Sequence, residues 1–282
     1  MCKKRIKLHK IGKIVIMGRK NMERRLPRLP RAPLVFASLE LRFSSTLSRP
    51  KLKEALKEER LFKDETDYAP YAAGYQRRGV LDSTSGKRVL FRLYTHKLRD
   101  RSLTIGEDFF MLTTLQYARF VDFSEEFYRL FEAVCPEVMR RSLRVEEIRL
   151  RYVDVVRSLD GVAVESLIEP DFFELQKRER YDALQFSFQK TCGNALIAGT
   201  LFNSGAEKTR APEPVDPTGL AKEGFELQAD DFLFDYTTSR RFAEPIALDD
   251  VRSRVDETHE TAERFFLETV TDVALNLWSR EK

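Results

Sequence analysis

Glycine is scarce in this chain, with 12 in 282 residues, and none falls in a phosphate-cradling pattern. The spacings G-x-x-x-x-G-K-[ST], G-x-G-x-x-G and G-x-S-x-G are all missing, which argues against a nucleotide-wrapping loop or a nucleophile elbow. Cysteine is scarcer still. Cys2, Cys135 and Cys192 are an odd number, widely spaced and without a C-x-x-C pair, so neither a disulfide framework nor a zinc ribbon is expected. Unpaired thiols suit a reducing compartment, and Cys135 and Cys192 read as packing residues. The three histidines, His9, His96 and His259, share no ligand spacing. No metal and no cofactor is therefore expected. Finally, no run of roughly 18 apolar residues occurs, as a membrane-spanning helix needs, and Ile14-Val15-Ile16-Met17 is too short for a secretory core. The expectation is a soluble, cytoplasmic protein with no membrane partner.

Acidic residues are almost missing from one end. Residues 1–31 hold 12 of the 49 Lys and Arg but only Glu23 of the 45 acids, which leaves 37 bases and 44 acids, a net charge of −7, in residues 32–282. The basic balance thus belongs to an arm over residues 1–31, while residues 32–282 form a mildly acidic body. Starting at Met22 would remove eight bases and no acid and bring the whole chain to −4. Several readings stay open for the arm: an extension ahead of a true start at Met22, a disordered segment, a transit peptide, or an electrostatic handle for nucleic acid or an anionic membrane surface. Within it, Pro27, Pro30 and Pro33 repeat every third residue, the period of polyproline II, and put Arg25, Arg28 and Arg31 on one edge. This reads as a stiff lead-in to the first strand, with a docking motif as the alternative.

The body carries what a core requires. Hydrophobic residues make up 42% of the chain and Phe alone accounts for 21, enough to pack a sheet against helices. Leu34–Phe43 alternates and predicts a strand. Ser48 and Pro50 predict a short helix to about Glu59. Strands over Tyr75–Asp82 and Arg88–Thr95 flank a Ser83-Thr84-Ser85-Gly86 turn, and a third covers Asp108–Ala118. Ser124 then reads as the cap of a helix that ends before Pro136. After a boundary near 136–142 the order repeats. The pattern predicts a strand over Leu143–Val156, a short helix over Asp171–Lys177, and strands at Ala183–Thr191, Ala195–Phe202 and Asp231–Thr237. A long helix follows from Asp249, with a kink near Thr269–Asp272. Gly193-Asn194 signals a hairpin, and residues 204–224 form a long loop, functional or disordered. Each half therefore reads β-α-β-β-β-α. The fold class is α+β, an antiparallel sheet covered by helices in a single domain with pseudo-duplicated halves.

Candidate site residues follow from strand parity. Glu40 and Arg42 share one face of their strand, and Arg149 and Arg151 share one face of theirs. If the two opening strands pair, Glu40 lies among three guanidiniums. That set reads as an ion-pair ladder or, more sharply, as an anion-recognising patch. Tyr152 lies on the opposite parity. His259 falls between Val255 and Ala262 on the apolar stripe of the last helix, so packing competes with a catalytic-base role. Adjacent acids such as Glu146-Glu147 and Asp249-Asp250 point to opposite faces of a strand or answer a helix dipole, and carry no acid–base signal.

Pro33-Leu34-Val35-x-Ala37-x-x-Glu40-Leu41-Arg42-Phe43, Tyr117–Phe123, Ile148-Arg149-Leu150-Arg151-Tyr152-Val153-Asp154, and a closing stretch with Asp235, His259 and Phe265-Phe266 occur in this order. Their order and spacing resemble a sporadically distributed bacterial family of no agreed activity, over about residues 33–278. Asp154 stands where that family usually has Asn. The resemblance implies an accessory role, as in defence or toxin neutralisation. The leading expectation is a non-enzymatic binding or regulatory module with a protein partner. The alternatives are a nucleic-acid-binding protein using residues 1–31 and the Arg patch, and a hydrolase or nuclease built around His259.

Overall fold

The computed structural model describes residues 29–44, 68–70, 91–96, 100–106, 108–135, 143–172, 184–203, 209–210 and 226–280. Its strands are β1 (Leu34–Phe43), β2 (Tyr68–Pro70), β3 (Phe91–His96), β4 (Arg101–Gly106), β5 (Phe109–Thr114), β6 (Val145–Val156), β7 (Leu184–Cys192), β8 (Ala195–Asn203), β9 (Thr209–Arg210), β10 (Glu226–Leu227) and β11 (Phe232–Ile246). The helices are α1 (Phe120–Val134), α2 (Leu248–Thr269) and α3 (Asp272–Trp278). Nine strands form one sheet in the order β2-β3-β4-β5-β1-β6-β11-β8-β7, and β9 and β10 make a separate two-stranded ribbon. Every pairing in the sheet is antiparallel.

The sheet is built from two like halves. The first runs β3-β4-β5-β1 across the sheet and is followed in the chain by α1. The second runs β7-β8-β11-β6 and is followed by α2. They meet where the opening strands pair, with Leu39 opposite Leu150 and Leu41 opposite Ile148. Antiparallel pairing of equivalent strands is the geometry of a two-fold axis, so the strand order of the halves is pseudo-symmetric, while the helix expected after each opening strand falls wholly or mostly outside the described residues.

One face of this sheet is apolar because each strand alternates. Ala37, Leu39, Leu41 and Phe43 of β1 and Ile148, Leu150 and Tyr152 of β6 are all buried there, under the helices. Helix α1 supplies Phe123, Phe127, Leu130 and Phe131, a stripe at helical spacing. The Phe110 ring meets Phe127 and Phe131 edge-on, each at 5.1 Å, the arrangement that aromatic quadrupoles favour. In the second half α2 buries Val251, Val255, Ala262, Phe265 and Phe266, and Phe265 stacks on Phe188 at 5.3 Å. A small second cluster, Phe36, Val153, Val155, Leu227 and Leu233, occupies the other face.

Several boundaries differ from the sequence reading. Helix α1 begins at Phe120, a turn before Ser124, whose hydroxyl donates to the Val121 carbonyl inside the helix. The turn forms earlier because Arg119 is extended and its guanidinium holds Asp122 in the first turn. Asp249 likewise lies in the first turn of α2, after an Ala247 cap. Strand β4 is separate from the predicted Asp108–Ala118 strand, which itself shortens to β5. Strand β11 runs 15 residues, well past Thr237. The kink near Thr269–Asp272 is a true break: Val270 is extended and bridges Ile168, and Thr271 caps α3. A 3-10 turn at Pro170–Phe172 stands at the start of the predicted Asp171–Lys177 helix. The predicted helix over 50–59, the strand at Tyr75–Asp82, most of the 204–224 loop and residues 1–28 of the arm lie outside the described residues.

Candidate functional site

The singled-out residues divide between the two faces of the sheet. Glu40, Arg42, Arg149 and Arg151 lie on the face opposite the helices. The β1–β6 register sets Glu40 opposite Arg149 and Arg42 opposite Glu147. Glu40 contacts Arg42 at 2.7 Å and Arg149 at 4.0 Å. Arg149 reaches Glu147 at 2.8 Å, and Glu147 also meets Arg241 at 3.5 Å. The outcome is an alternating ladder across three strands, Arg42–Glu40–Arg149–Glu147–Arg241. Arg151 leaves this ladder. It forms a two-pronged pair with Asp235 of β11, at 2.8 and 2.7 Å, and its guanidinium lies over the Phe36 ring at 5.4 Å. A planar fork matched to a carboxylate in this way is geometrically specific. Asp108 adds a fourth acid, 3.9 Å from Arg42.

Tyr152 and His259 lie on the helix-covered face and touch each other, with the Tyr152 hydroxyl 3.1 Å from His259 Nδ1. Around them the fold gathers residues distant in sequence. Tyr117, in the connection from β5 to α1, meets the Tyr152 ring edge-on at 5.7 Å. Phe120 stacks on the His259 imidazole at 3.7 Å and 12°. Tyr236 of β11 sits opposite Tyr152, with rings 5.8 Å apart. Asp154 of β6 completes the group. It is 3% exposed, and its Oδ2 has no hydrogen-bond partner.

Burial decides the electrostatics of this cluster. It pushes Asp154 from the usual carboxylate range up to about 8, so the side chain is mostly protonated at neutral pH. It lowers His259 to about 4, leaving a neutral imidazole. Tyr152 and Tyr236 are held well above the ordinary phenol value, by burial first. Neither His259 nor the tyrosines therefore exchange a proton readily near pH 7, which is what a general base requires. Asp154 alone of these residues titrates close to neutrality. Among the described residues no three His, Cys, Asp or Glu side chains converge as metal ligands.

All six residues chosen from sequence thus occupy interaction networks, but they do not form one site. The ladder brings together Glu40, Arg42 and Arg149, while Arg151 joins Asp235, and Tyr152 with His259 belongs to the opposite face. Glu147, Arg241, Asp108 and Tyr236 take part and were not singled out. For Glu147 the signal is its parity with Arg149; for Tyr236 it is alternation with Phe232 and Phe234. No protein-family model matches the chain, and no curated protein matches it. Among the described residues no helix is long and apolar enough to cross a membrane, a statement that does not bear on strands.

Proposed function

We propose that this chain is a non-enzymatic binding or regulatory module that recognises another protein through the charged face at the centre of its sheet. The carrying observation is the composition of that face. Four guanidiniums, Arg42, Arg149, Arg151 and Arg241, alternate with four carboxylates, Glu40, Asp108, Glu147 and Asp235. A balanced, pre-ordered array suits a partner that carries both signs, and it discourages a polyanion. Arg42 and Arg149 keep about a third of their side-chain surface, 32% and 33%, and Arg241 keeps 74%, while Glu40 and Glu147 keep 13% and 6%, so these guanidiniums are presented above the two glutamates. Arginine is the charged residue most often found at the energetic centre of protein interfaces. The family resemblance supports an accessory setting such as defence or toxin neutralisation, and the unpaired cysteines support a cytoplasmic one.

The test is affinity capture with the full chain, identification of the retained protein by mass spectrometry, and measurement of its affinity for Arg241→Ala and Arg149→Ala. We expect one stoichiometric partner whose binding weakens roughly 30-fold, about 2 kcal/mol, in at least one variant, with unchanged circular dichroism. No stable partner, together with a turnover abolished by a single substitution such as His259→Ala in a folded protein, overturns the proposal.

A second reading rests on the basic arm, where 12 bases face one acid in residues 1–31. A nucleic-acid role requires affinity that falls steeply with salt and weakens on removal of that arm. One of its arginines is already engaged, since Arg31 grips Asp160 at 2.7 and 3.0 Å. Absence of binding by the full chain near physiological salt removes this reading.

A further inference from the structure

The two edges of the sheet are built differently. At one edge β2 is three residues long and ends in Pro70, a short, proline-bearing edge of the kind that blocks further pairing. At the other, β7 runs nine residues without proline. Its register with β8 is unbroken from Leu184 opposite Asn203 to Cys192 opposite Ala195, with no bulge. Among the described residues no strand lies beyond it. Ser187, Gln189 and Thr191 are exposed, and they form an uncharged row on the face away from the helices. The strand has one charged residue, Lys190, and that is paired with Glu268 of α2. None of the devices that protect exposed edges, such as bulges, prolines or unpaired lysines, is present.

We propose that β7 pairs antiparallel with β7 of a second copy of this chain, joining two sheets edge to edge about a two-fold axis at Phe188. This goes beyond the protein-recognition reading and does not depend on it. The occupant follows from the strand's own chemistry. Antiparallel self-pairing centred on Phe188 sets Ser187 opposite Gln189, Gln185 opposite Thr191 and Lys190 opposite Phe186. No like charges meet, and the polar residues Ser187, Gln189, Gln185 and Thr191 face one another. An isologous joint needs this self-complementarity. The edge ring is suited too: Phe188, only partly buried, already stacks on Phe234 and Phe265 and would gain cover from its symmetry mate. The same operation already joins the two halves of the chain at β1 and β6. A peptide of different sequence could dock on the edge by the same backbone bonds, but it would leave the chain itself monomeric.

The experiment measures molar mass by light scattering on the full chain over a dilution series, with circular dichroism and thermal unfolding as controls. Wild type is expected at twice the mass of one chain. Ser187→Lys with Gln189→Lys puts lysines opposite each other across the axis, and should raise the dissociation constant about tenfold or more without altering the far-ultraviolet spectrum. Ser187→Lys with Gln189→Glu puts opposite charges at the same places and should retain the dimer. A monomeric wild type overturns the proposal. So does dimerisation that is lost in both double variants or in neither.

Discussion

The two halves share a strand order yet are furnished differently beneath their helices. In the first, Phe43, Phe110, Phe127 and Phe131 make an all-phenylalanine contact under a 15-residue helix. In the second, Phe265 of the 22-residue α2 packs on Phe188 and Phe234, while His259 of the same helix meets Tyr152, beside Tyr236 and Asp154, toward the middle of the sheet. Equivalent architecture therefore carries an apolar core under one helix and, where the other helix meets Tyr117 and Phe120 of the first half, a buried polar group. The lesson is that a shared strand order does not fix what is buried beneath the helices; the individual side chains do.

The largest effect should come from breaking the inert side. Phe127 is fully buried and touches Phe110, Tyr128 and Phe131, so Phe127→Ala should cost about 3–5 kcal/mol in chemical denaturation. Phe188→Ala, at the half-buried edge of the other half, should cost clearly less. Equal losses would contradict the contrast between the two cores.

The polar side should reveal itself through pH. Asp154 keeps its proton in the folded chain to about 8 but gives it up near the ordinary carboxylate value once unfolded. Stability should therefore fall as pH rises from about 4 to 8, by at most about 1.4 kcal/mol per pH unit. His259 acts in the opposite sense. Its folded value of about 4 lies below the ordinary 6.5, so stability is lost as pH falls from about 6.5 toward 4. The two offset each other below pH 6.5, and Asp154 alone acts above it. Asp154→Asn should abolish the decline between pH 6.5 and 8 and raise the melting temperature at pH 8. A slope that survives in that variant would assign the titration elsewhere.

A smaller effect separates α2 from α3. Thr271 accepts a hydrogen bond from the Ala274 amide and donates to the Ser166 carbonyl at 2.6 Å. Thr271→Ala should cost about 1 kcal/mol in thermal unfolding, as the loss of a helix cap does. The smallest effect belongs to the charged face. Arg241 is mostly exposed and Glu147 keeps Arg149, so Arg241→Ala should change stability by less than about 0.5 kcal/mol. A larger loss would mean that the ladder supports the fold and is not held there for presentation.

Strands that alternate cleanly or end at a glycine turn were legible in the sequence. Leu34–Phe43 and Val145–Val156 alternate cleanly, and Gly193, at φ +61, marks the β7–β8 hairpin as its position suggests. Strand β4 was not legible, because Arg101–Gly106 follows β3 and precedes β5 without an obvious turn signal, and its alternation is carried by Leu103 and Ile105 alone. The turn at Asp160-Gly161, both at positive φ, carries its signal in the Asp-Gly pair itself. Parity alone placed Glu40 with Arg149. It could not place Arg151 with Asp235, 84 residues away, because that pairing depends on β11 adding to the far side of β6. The meeting of Tyr117, Tyr152, Asp154 and His259 was hidden for the same reason: each comes from a separate segment, and only packing decides which ring reaches which.

The lead-in to β1 has one more consequence, for the order in which the chain is made. The Arg31 amide donates to the Trp278 carbonyl at 3.2 Å, so the segment ahead of the first strand is closed over by a helix made about 250 residues later. Strand β1 itself must wait for β5 and then β6 before either of its edges is satisfied. Nascent chains should therefore stay protease-sensitive around residues 34–43 until the second half has emerged, and folding should be slow for a protein of this size, since its central strand is completed only by distant partners.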